Sequence, residues 1–366
     1  MGNGGRSLAN LGGRRLVIDA DWWSGRRVFV TGHTGFKGSW LTAWLNQMGA
    51  VVTGYSLEPD TDPSLFELLG LAAECEHHEG DILDIDRMRK AVDRARPQVV
   101  LHLAAQSLVR RSYREPLRTF AVNMQGTANL LELCREQDAL ESVVVVTTDK
   151  VYANPETGQA FPESAPLGGR DPYSASKAGA EIVSQAYRDS FFEGGRIATA
   201  RSGNVIGGGD WSEDRLIPDA ARAFSEGRTL VLRDPNAVRP WQHVLGPLGG
   251  YVLLAQRLAT AGDLARGWNF GPSTQQLVTV GDVITAFAKE WGEGANWTVE
   301  TEQGAPHEAG LLVLDSSRAR EDLGWDSGMD FEAGIKATAR WYHAFYAGDD
   351  VKSLTHQQLE SHRCEP

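Results

Sequence analysis

Cysteine is scarce in this sequence: 366 residues hold three, Cys75, Cys134 and Cys364, far apart and odd in number. No CxxC pair occurs, which excludes a disulfide framework and a cysteine zinc site; a reducing, cytoplasmic setting is expected. The nine histidines form no HExxH, and the adjacent His77 and His78 lack the spacing of metal ligands, so no metal is expected. Long apolar runs are also missing. No stretch approaches the ~18 residues of a membrane span, and no membrane partner is expected. The first residues contain no continuous apolar core of a secretory leader, and Arg6 breaks the N-myristoylation pattern. Positive charge is in deficit: 36 Lys and Arg stand against 48 Asp and Glu, a net charge of −12. Binding a nucleic acid polymer needs the opposite balance, whereas one local basic pocket for a phosphorylated metabolite is compatible with it.

What is present suffices for a large core. The chain is 42% apolar, and a protein of this length buries roughly 75% of its unfolded surface. It also exceeds the ~250–300 residues at which single cores stop growing, so two lobes are expected.

Strand and helix patterns alternate. Arg27–Thr31 is a short β-branched run, followed by a glycine-rich turn, a helical stretch over Lys37–Met48 and a second apolar run, Val51–Tyr55. This is the size of a βαβ unit. Further buried-strand candidates are Gln98–Ala104, Ser142–Thr148 and Ile197–Arg201, with helical periodicity over Asn123–Arg135 and Tyr173–Phe191. Strands apolar on both faces and separated by helices imply an α/β fold with a doubly wound parallel sheet. After Gly203, glycines and prolines break the alternation into a smaller mixed α/β lobe, with helical stretches over Gly246–Leu258 and Val280–Trp291.

Three motifs carry chemistry. The loop Gly32-His33-Thr34-Gly35-Phe36-Lys37-Gly38 reads G-x-x-G-x-x-G between a strand and a helix. Glycines there let backbone amides approach a pyrophosphate at a helix N-terminus, where the macrodipole favours negative charge. A dinucleotide site is expected, with His33 and Lys37 either on the cofactor or one layer behind it. The acid that grips an NAD ribose is replaced by Tyr55-Ser56 at the end of the second strand, and no arginine waits there for a 2′-phosphate, so NAD is favoured over NADP. Asp81 and Ile82 are candidates for the adenine, Asp81 equally for a helix N-cap, and Leu103, Ala104 and Ala105 offer small surfaces under the cofactor.

The second motif is Tyr173-Ser174-Ala175-Ser176-Lys177, a YxxxK whose i, i+4 spacing puts both side chains on one helix face. A lysine ammonium is expected to lower the tyrosine pKa, so that a phenolate takes a proton from a substrate hydroxyl. The third is Thr147-Thr148-Asp149-Lys150 at the end of a strand, where ligands bind in parallel sheets. Asp149 and Lys150 are either chemical groups or an ordinary turn with a surface ion pair.

With these motifs the sequence resembles the extended short-chain dehydrogenase/reductases and, more narrowly, the nucleotide-sugar 4,6-dehydratases that act on CDP-D-glucose. TGHTGFKGSWL (Thr31–Leu41), TTDKVY (Thr147–Tyr152), DPYSASK (Asp171–Lys177), GNVIGGGDW (Gly203–Trp211), DRLIPD (Asp214–Asp219) and RPWQHV (Arg239–Val244) carry the resemblance, from about Trp22 to Tyr346. It implies a lyase that holds NAD through a full redox cycle and makes CDP-4-keto-6-deoxy-D-glucose. Thr148, Tyr173 and Lys177 would serve C4 oxidation, Asp149 as acid and Lys150 as base or enolate stabiliser would serve elimination, and Asn123 and Thr147 would join the cofactor contacts. Asn204, Arg215, Leu216, Arg233, Arg239, Trp241 and His307 would line the substrate site, each arginine otherwise a solubility residue, Trp241 otherwise core, and His307 otherwise structural.

The resemblance divides the chain into a mobile extension (1–21), a dinucleotide-binding domain (22–203 with 239–268), a nucleotide-sugar-binding lobe (204–238 with 269–348) and a polar tail (349–366). It implies a homodimer through Val109–Arg135 and Tyr173–Phe191, although packing on the sheet would ask for the same apolar stripe. An epimerase, a dehydratase for another nucleotide sugar, and a non-catalytic NAD-binding protein are the alternatives.

Overall fold

The computed structural model describes residues 18–156, 158–272, 278–300 and 312–363. Seven parallel strands build the main sheet: β1 (Arg27–Thr31), β2 (Val51–Ser56), β3 (Glu76–Glu79), β4 (Val99–His102), β5 (Ser142–Val146), β6 (Ile197–Ser202) and, after four short strands described below, β11 (Gly267–Phe270). Their order is β3-β2-β1-β4-β5-β6-β11, so the direction of winding reverses between β1 and β4. This is a Rossmann-type doubly wound sheet, as the sequence pattern implies.

The strands are apolar on both faces because both are covered. In register, Val28 lies opposite Val52 and Val99, and Val100 opposite Val143. Val28, Val30, Leu101 and Val144 enter one core with α2 (Phe36–Gln47) and α10 (Leu245–Leu258). Phe29, Val100, Val143 and Val145 enter the other with α4 (Ile85–Ala95) and α7 (Gly126–Arg135). Helix α4 shows the local logic: Met88, Ala91, Val92 and Ala95 form a buried stripe, and Asp84 caps its start by accepting from the Arg87 amide.

The expected helix 109–135 is broken. It divides into α5 (Val109–Arg114), α6 (Pro116–Phe120), a π-helical turn at Ala121–Gln125, and α7. Pro116 has no amide hydrogen to continue α5. Helix α8 (Pro172–Phe191), which carries the YxxxK motif, begins on the Asp171 cap with Pro172 in its first turn.

The remaining elements gather at the carboxyl edge of the sheet. Three two-stranded pairs form there: β7 (Val205–Ile206) with β10 (Gln242–His243), β8 (Leu230–Leu232) with β13 (Trp297–Val299), and β9 (Val238–Arg239) with β12 (Val278–Thr279). Helices α9 (Leu216–Ser225), α11 (Val280–Trp291), α12 (Ser317–Leu323) and α13 (Phe331–Ala347) complete this part. Because β11 pairs with β6, the sheet claims residues through Phe270, past the boundary expected at 268.

Both ends differ from expectation. Short helices α1 (Ala20–Trp23) and α3 (Leu65–Leu68) flank the first βαβ unit, and α1 buries Trp23 while Asp19 caps it, so 18–21 belong to the fold. The expected polar tail is α14 (Val351–Arg363), which buries Val351, Leu354 and Leu359. Trp341 donates to Thr355 Oγ1 at 2.9 Å, and His362 packs edge-on against Trp44. The helix is amphipathic, so its average polarity concealed a buried stripe.

Candidate active site

The phosphate loop is built by exclusion of side chains. Gly32 has φ +75°, and a Cβ on it would lie 2.6 Å from the Ala104 amide nitrogen; one on Gly38 would lie 2.0 Å from the Gly32 carbonyl oxygen. The loops after β1 and β4 therefore touch at the point where the winding reverses. Helix α2 starts at Gly35 with no side-chain cap, which leaves first-turn amides for an anion. These features fit a dinucleotide pyrophosphate. At the ribose end, the Thr34 hydroxyl sits 2.9 Å from Ser56 Oγ and donates to the Leu57 carbonyl.

Several of the cofactor candidates have side chains engaged with the protein interior, His33 among them, as the second of its two readings has it. The His33 ring is buried, 2.7 Å from His77 Nδ1, and burial holds its pKa down at about 3. Asn123, within the π-helical turn, donates to the Gln106 carbonyl and Ser176 Oγ and accepts from the Gln106 amide, so it fixes the loop after β4. Thr147 gives its hydroxyl to Glu181. Asp81 pairs with Arg118 at 2.6 Å and accepts from the Leu83 amide, while the α4 cap is Asp84. Ile82 is core. Leu103, Ala104 and Ala105 remain half-buried beside the glycine loop.

Across the sheet edge, one cleft of about 1530 Å³ is lined by Thr148, Asp149, Lys150 and Tyr173 and also by Asn204, Arg215, Leu216, Arg233, Arg239 and Trp241. His307 lies outside the described residues. Thr148 caps a single 3₁₀ turn, Asp149–Val151, and donates to Asp149 Oδ1 at 3.0 Å. Asp149 is 2% exposed, and its Oδ2 has no hydrogen-bond partner among the described residues. Gly203 makes room for it: a Cβ there would sit 2.7 Å from Asp149 Oδ2.

The tyrosine differs from expectation. Burial pushes Tyr173 up to about 12, with the Thr148 hydroxyl and the Arg215 guanidinium pulling it down and Asp149 pushing it further up. Desolvation of the phenolate outweighs the nearby donors and cations. Lys177 Nζ donates to the Val146 carbonyl at 2.7 Å, and burial lowers its pKa to about 8. Lys37 also reaches the region. Its ammonium donates to Ser202 Oγ at 2.9 Å, which is 2.6 Å from the Tyr251 hydroxyl, and burial beside Arg215 lowers it to about 7.

The cationic wall is tempered by carboxylates. Arg215 lies 3.7 Å from Asp210, and Asp214 is 3.1 Å from Arg233 and 3.9 Å from Arg110. Arg110 lines the cleft and was not singled out from sequence, because Val109–Arg114 reads as an ordinary helix surface. The buried pair of Glu181 and Arg201 was also missed; its one signal is Glu181, four residues after Lys177 on the same helix face.

Comparison with known proteins places the chain among nucleotide-sugar dehydratases. The chain is 44% identical over 354 residues to the CDP-glucose 4,6-dehydratase of Salmonella typhimurium, covering 94% of this chain and 98% of that protein. It is 31% identical to the dTDP-glucose 4,6-dehydratase of Streptomyces griseus, covering 86% and 94%. Among solved structures, the UDP-glucose 4-epimerase of Thermus thermophilus in complex with NAD superposes with a TM-score of 0.75 at 26% identity, covering 87% of this chain and 99% of that one. A family described as GDP-mannose 4,6 dehydratase matches residues 29–338. The match runs from β1 into α13 and takes in glycine loop, acid–lysine turn, tyrosine helix and arginine wall alike, so this chain belongs to the GDP-mannose 4,6-dehydratase family.

Proposed function

We propose that this chain is an NAD-dependent hydro-lyase that converts CDP-D-glucose into CDP-4-keto-6-deoxy-D-glucose. One observation carries the reading: Tyr173 and Thr148 share a single cleft with the consecutive Asp149 and Lys150, so groups for oxidation and for elimination face the same substrate. The choice of CDP-glucose rests on the similarity to the Salmonella dehydratase.

The glycine loop, the half-buried surface of Leu103–Ala105 and the ammonium of Lys177 would hold the dinucleotide. When bound, NAD would supply a two-electron store for oxidation at C4 and reduction at C6, and a cationic ring of the sign that favours a phenolate. Tyr173, as the phenolate, accepts the 4-hydroxyl proton as the C4–H bond breaks, the Thr148 hydroxyl turning from Asp149 to stabilise that phenolate beforehand. The resulting ketone acidifies C5–H. Lys150 takes that proton, and Asp149 gives one to the 6-hydroxyl, which leaves as water. Lys150 would then return its proton to C5 as C6 is reduced, which completes the product. Arg239, Arg215 and Arg233 bind the diphosphate by charge-assisted hydrogen bonds, and Asn204 contributes an amide. Trp241, 7% exposed with its Nε1 lacking a hydrogen-bond partner among the described residues, offers a flat wall and a donor.

An epimerase needs the tyrosine and lysine but no pair for C5 and C6, so Asp149 and Lys150 favour dehydration. The test is incubation of the purified protein with CDP-, dTDP-, UDP- and GDP-glucose, followed by mass measurement. Loss of one water from CDP-glucose alone is the expected result; unchanged mass with altered sugar stereochemistry would make the protein an epimerase.

The partner is a second copy of the chain. Leu117, 85% exposed, and Phe120 lie on α6, which packs against α8, and Ile182 on α8 is exposed as well, apolar surface of the kind that marks an interface. A monomer in sedimentation would reject it. The expected location is the cytoplasm, in keeping with free thiols at Cys75 and Cys134; no helix among the described residues is long and apolar enough to cross a membrane.

A further inference from the structure

Glu181 and Arg201 have no part in that chemistry, yet they form an ion pair 4% and 5% exposed directly behind it. Arg201 donates Nε to Glu181 Oε1 at 2.9 Å and Nη2 to Oε2 at 2.7 Å. The carboxylate also accepts from Thr147 Oγ1 at 2.5 Å and Thr199 Oγ1 at 2.6 Å, so its four lone-pair sites are filled. On its other side Arg201 donates Nη1 to the Tyr152 hydroxyl at 2.6 Å, and Tyr152 donates onward to Asn269 Oδ1 at 2.7 Å. Gly267 opens β11 and leaves room for the guanidinium: a Cβ there would lie 2.5 Å from Arg201 Nη2.

The two anchors bracket the reactive turn. Thr147 stands just before Thr148-Asp149-Lys150, and Tyr152 stands two residues after Lys150. A buried ion pair commonly adds little stability over an apolar pair of the same volume, whereas a planar, bidentate arrangement fixes direction. The tyrosine helix carries Glu181 and has two further holds of its own nearer Tyr173, the Asp171 cap and the bond from Lys177 to Val146.

We infer that the Glu181–Arg201 pair is a positioning device that clamps both ends of the Asp149–Lys150 turn, and so governs the elimination of water, which uses both residues of that turn, more than C4 oxidation, which uses only Thr148 beside the Thr147 anchor. The assignment to elimination rests on the function proposed above; the clamp itself does not.

Tyr152→Phe tests it with the least disturbance, since it removes one hydroxyl at the distal anchor. Three quantities are followed in the NAD-loaded enzyme: the initial rise of reduced-nicotinamide absorbance on adding CDP-glucose, the wash-in of solvent deuterium at C5 with loss of water, and amide hydrogen exchange over residues 147–153. The expected result is an unchanged initial rise, wash-in and water loss both slowed roughly 10- to 100-fold, as small misplacements of reacting groups produce, and faster amide exchange confined to that turn. Arg201→Lys, which keeps the charge and loses the fork, gives the same split more strongly if it folds. Equal slowing of oxidation and elimination, or amide exchange unchanged in the turn, would overturn the inference. If the wild-type enzyme removes no water from CDP-glucose, the proposed function fails instead, and the exchange measurement still decides the clamp.

Discussion

The two walls of the candidate site, the phosphate loop and the substrate cleft, are made in opposite ways. The cofactor side is one uninterrupted segment: β1, the loop from Gly32 to Gly38 and α2 follow one another in the chain, and their geometry depends on Gly32 and Gly38, where a Cβ would run into backbone atoms. The substrate side is assembled from distant pieces, with Arg110 from α5, Thr148–Lys150 after β5, Asn204 after β6, Arg233 just after β8 and Arg239 from β9. A backbone-built site can be written in a single short run of sequence. A side-chain-built site exists only once the whole sheet has folded.

Four substitutions or conditions would sharpen that contrast. Tyr173→Phe lies between the two walls and should have the largest effect, lowering kcat by roughly 10²–10⁴-fold while NAD and CDP affinities and the melting temperature stay close to wild type; steady-state kinetics with calorimetric binding checks this. Arg239→Ala should strike the substrate side alone. Losing a hydrogen bond to a charged group is worth about 1.5–3 kcal/mol, so the Kd for CDP, measured by calorimetry, should rise roughly 10- to 100-fold with NAD binding unaltered. Gly38→Ala should do the reverse. The new Cβ meets a backbone carbonyl oxygen at 2.0 Å, overpacking of about 1–3 kcal/mol, and the NAD affinity should drop while CDP affinity holds. A fall in both affinities would mean that the walls do not act independently.

The smallest effect is on stability against pH. His33, His102 and His243 are held down at about 3 and His362 at about 4, all chiefly by burial. Each is neutral in the folded protein and titrates near ~6.5 when unfolded. Their contribution is therefore complete above that pH and is lost as pH falls towards the folded values, because the unfolded chain takes up protons first. The urea midpoint should decline from pH 7 to pH 5, and His362→Phe should flatten the slope. A midpoint independent of pH over that range would contradict the buried, neutral assignment.

Much of the first wall was legible in the sequence and less of the second. The glycine spacing, the β-branched runs and the Tyr–Lys interval are local signals, and Val280–Trp291 is a helix over the range its periodicity gives. Strand β3, Glu-His-His-Glu, has no apolar residue to announce it; it lies at a half-exposed edge of the sheet, so its alignment comes from β2. Helix α14 was hidden by its mean polarity. His33, Thr147 and Asn123 occupy the right segments yet point away from the crevice, since side-chain direction depends on neighbours such as His77, Glu181 and Gln106 that are far away in sequence.

By itself the sequence determined what depends on neighbouring residues: the alternation of strand and helix, the glycine turn that admits a phosphate, and the placing of Tyr173 and Lys177 on one face of α8. Tertiary structure alone decided which charges meet. It raised Tyr173 where a lowered pKa was expected, brought Lys37 to Ser202, and linked Glu181 through Arg201 to Tyr152. Desolvation and ion pairing depend on every atom within a few ångströms, and in a doubly wound sheet those atoms arrive from opposite ends of the chain.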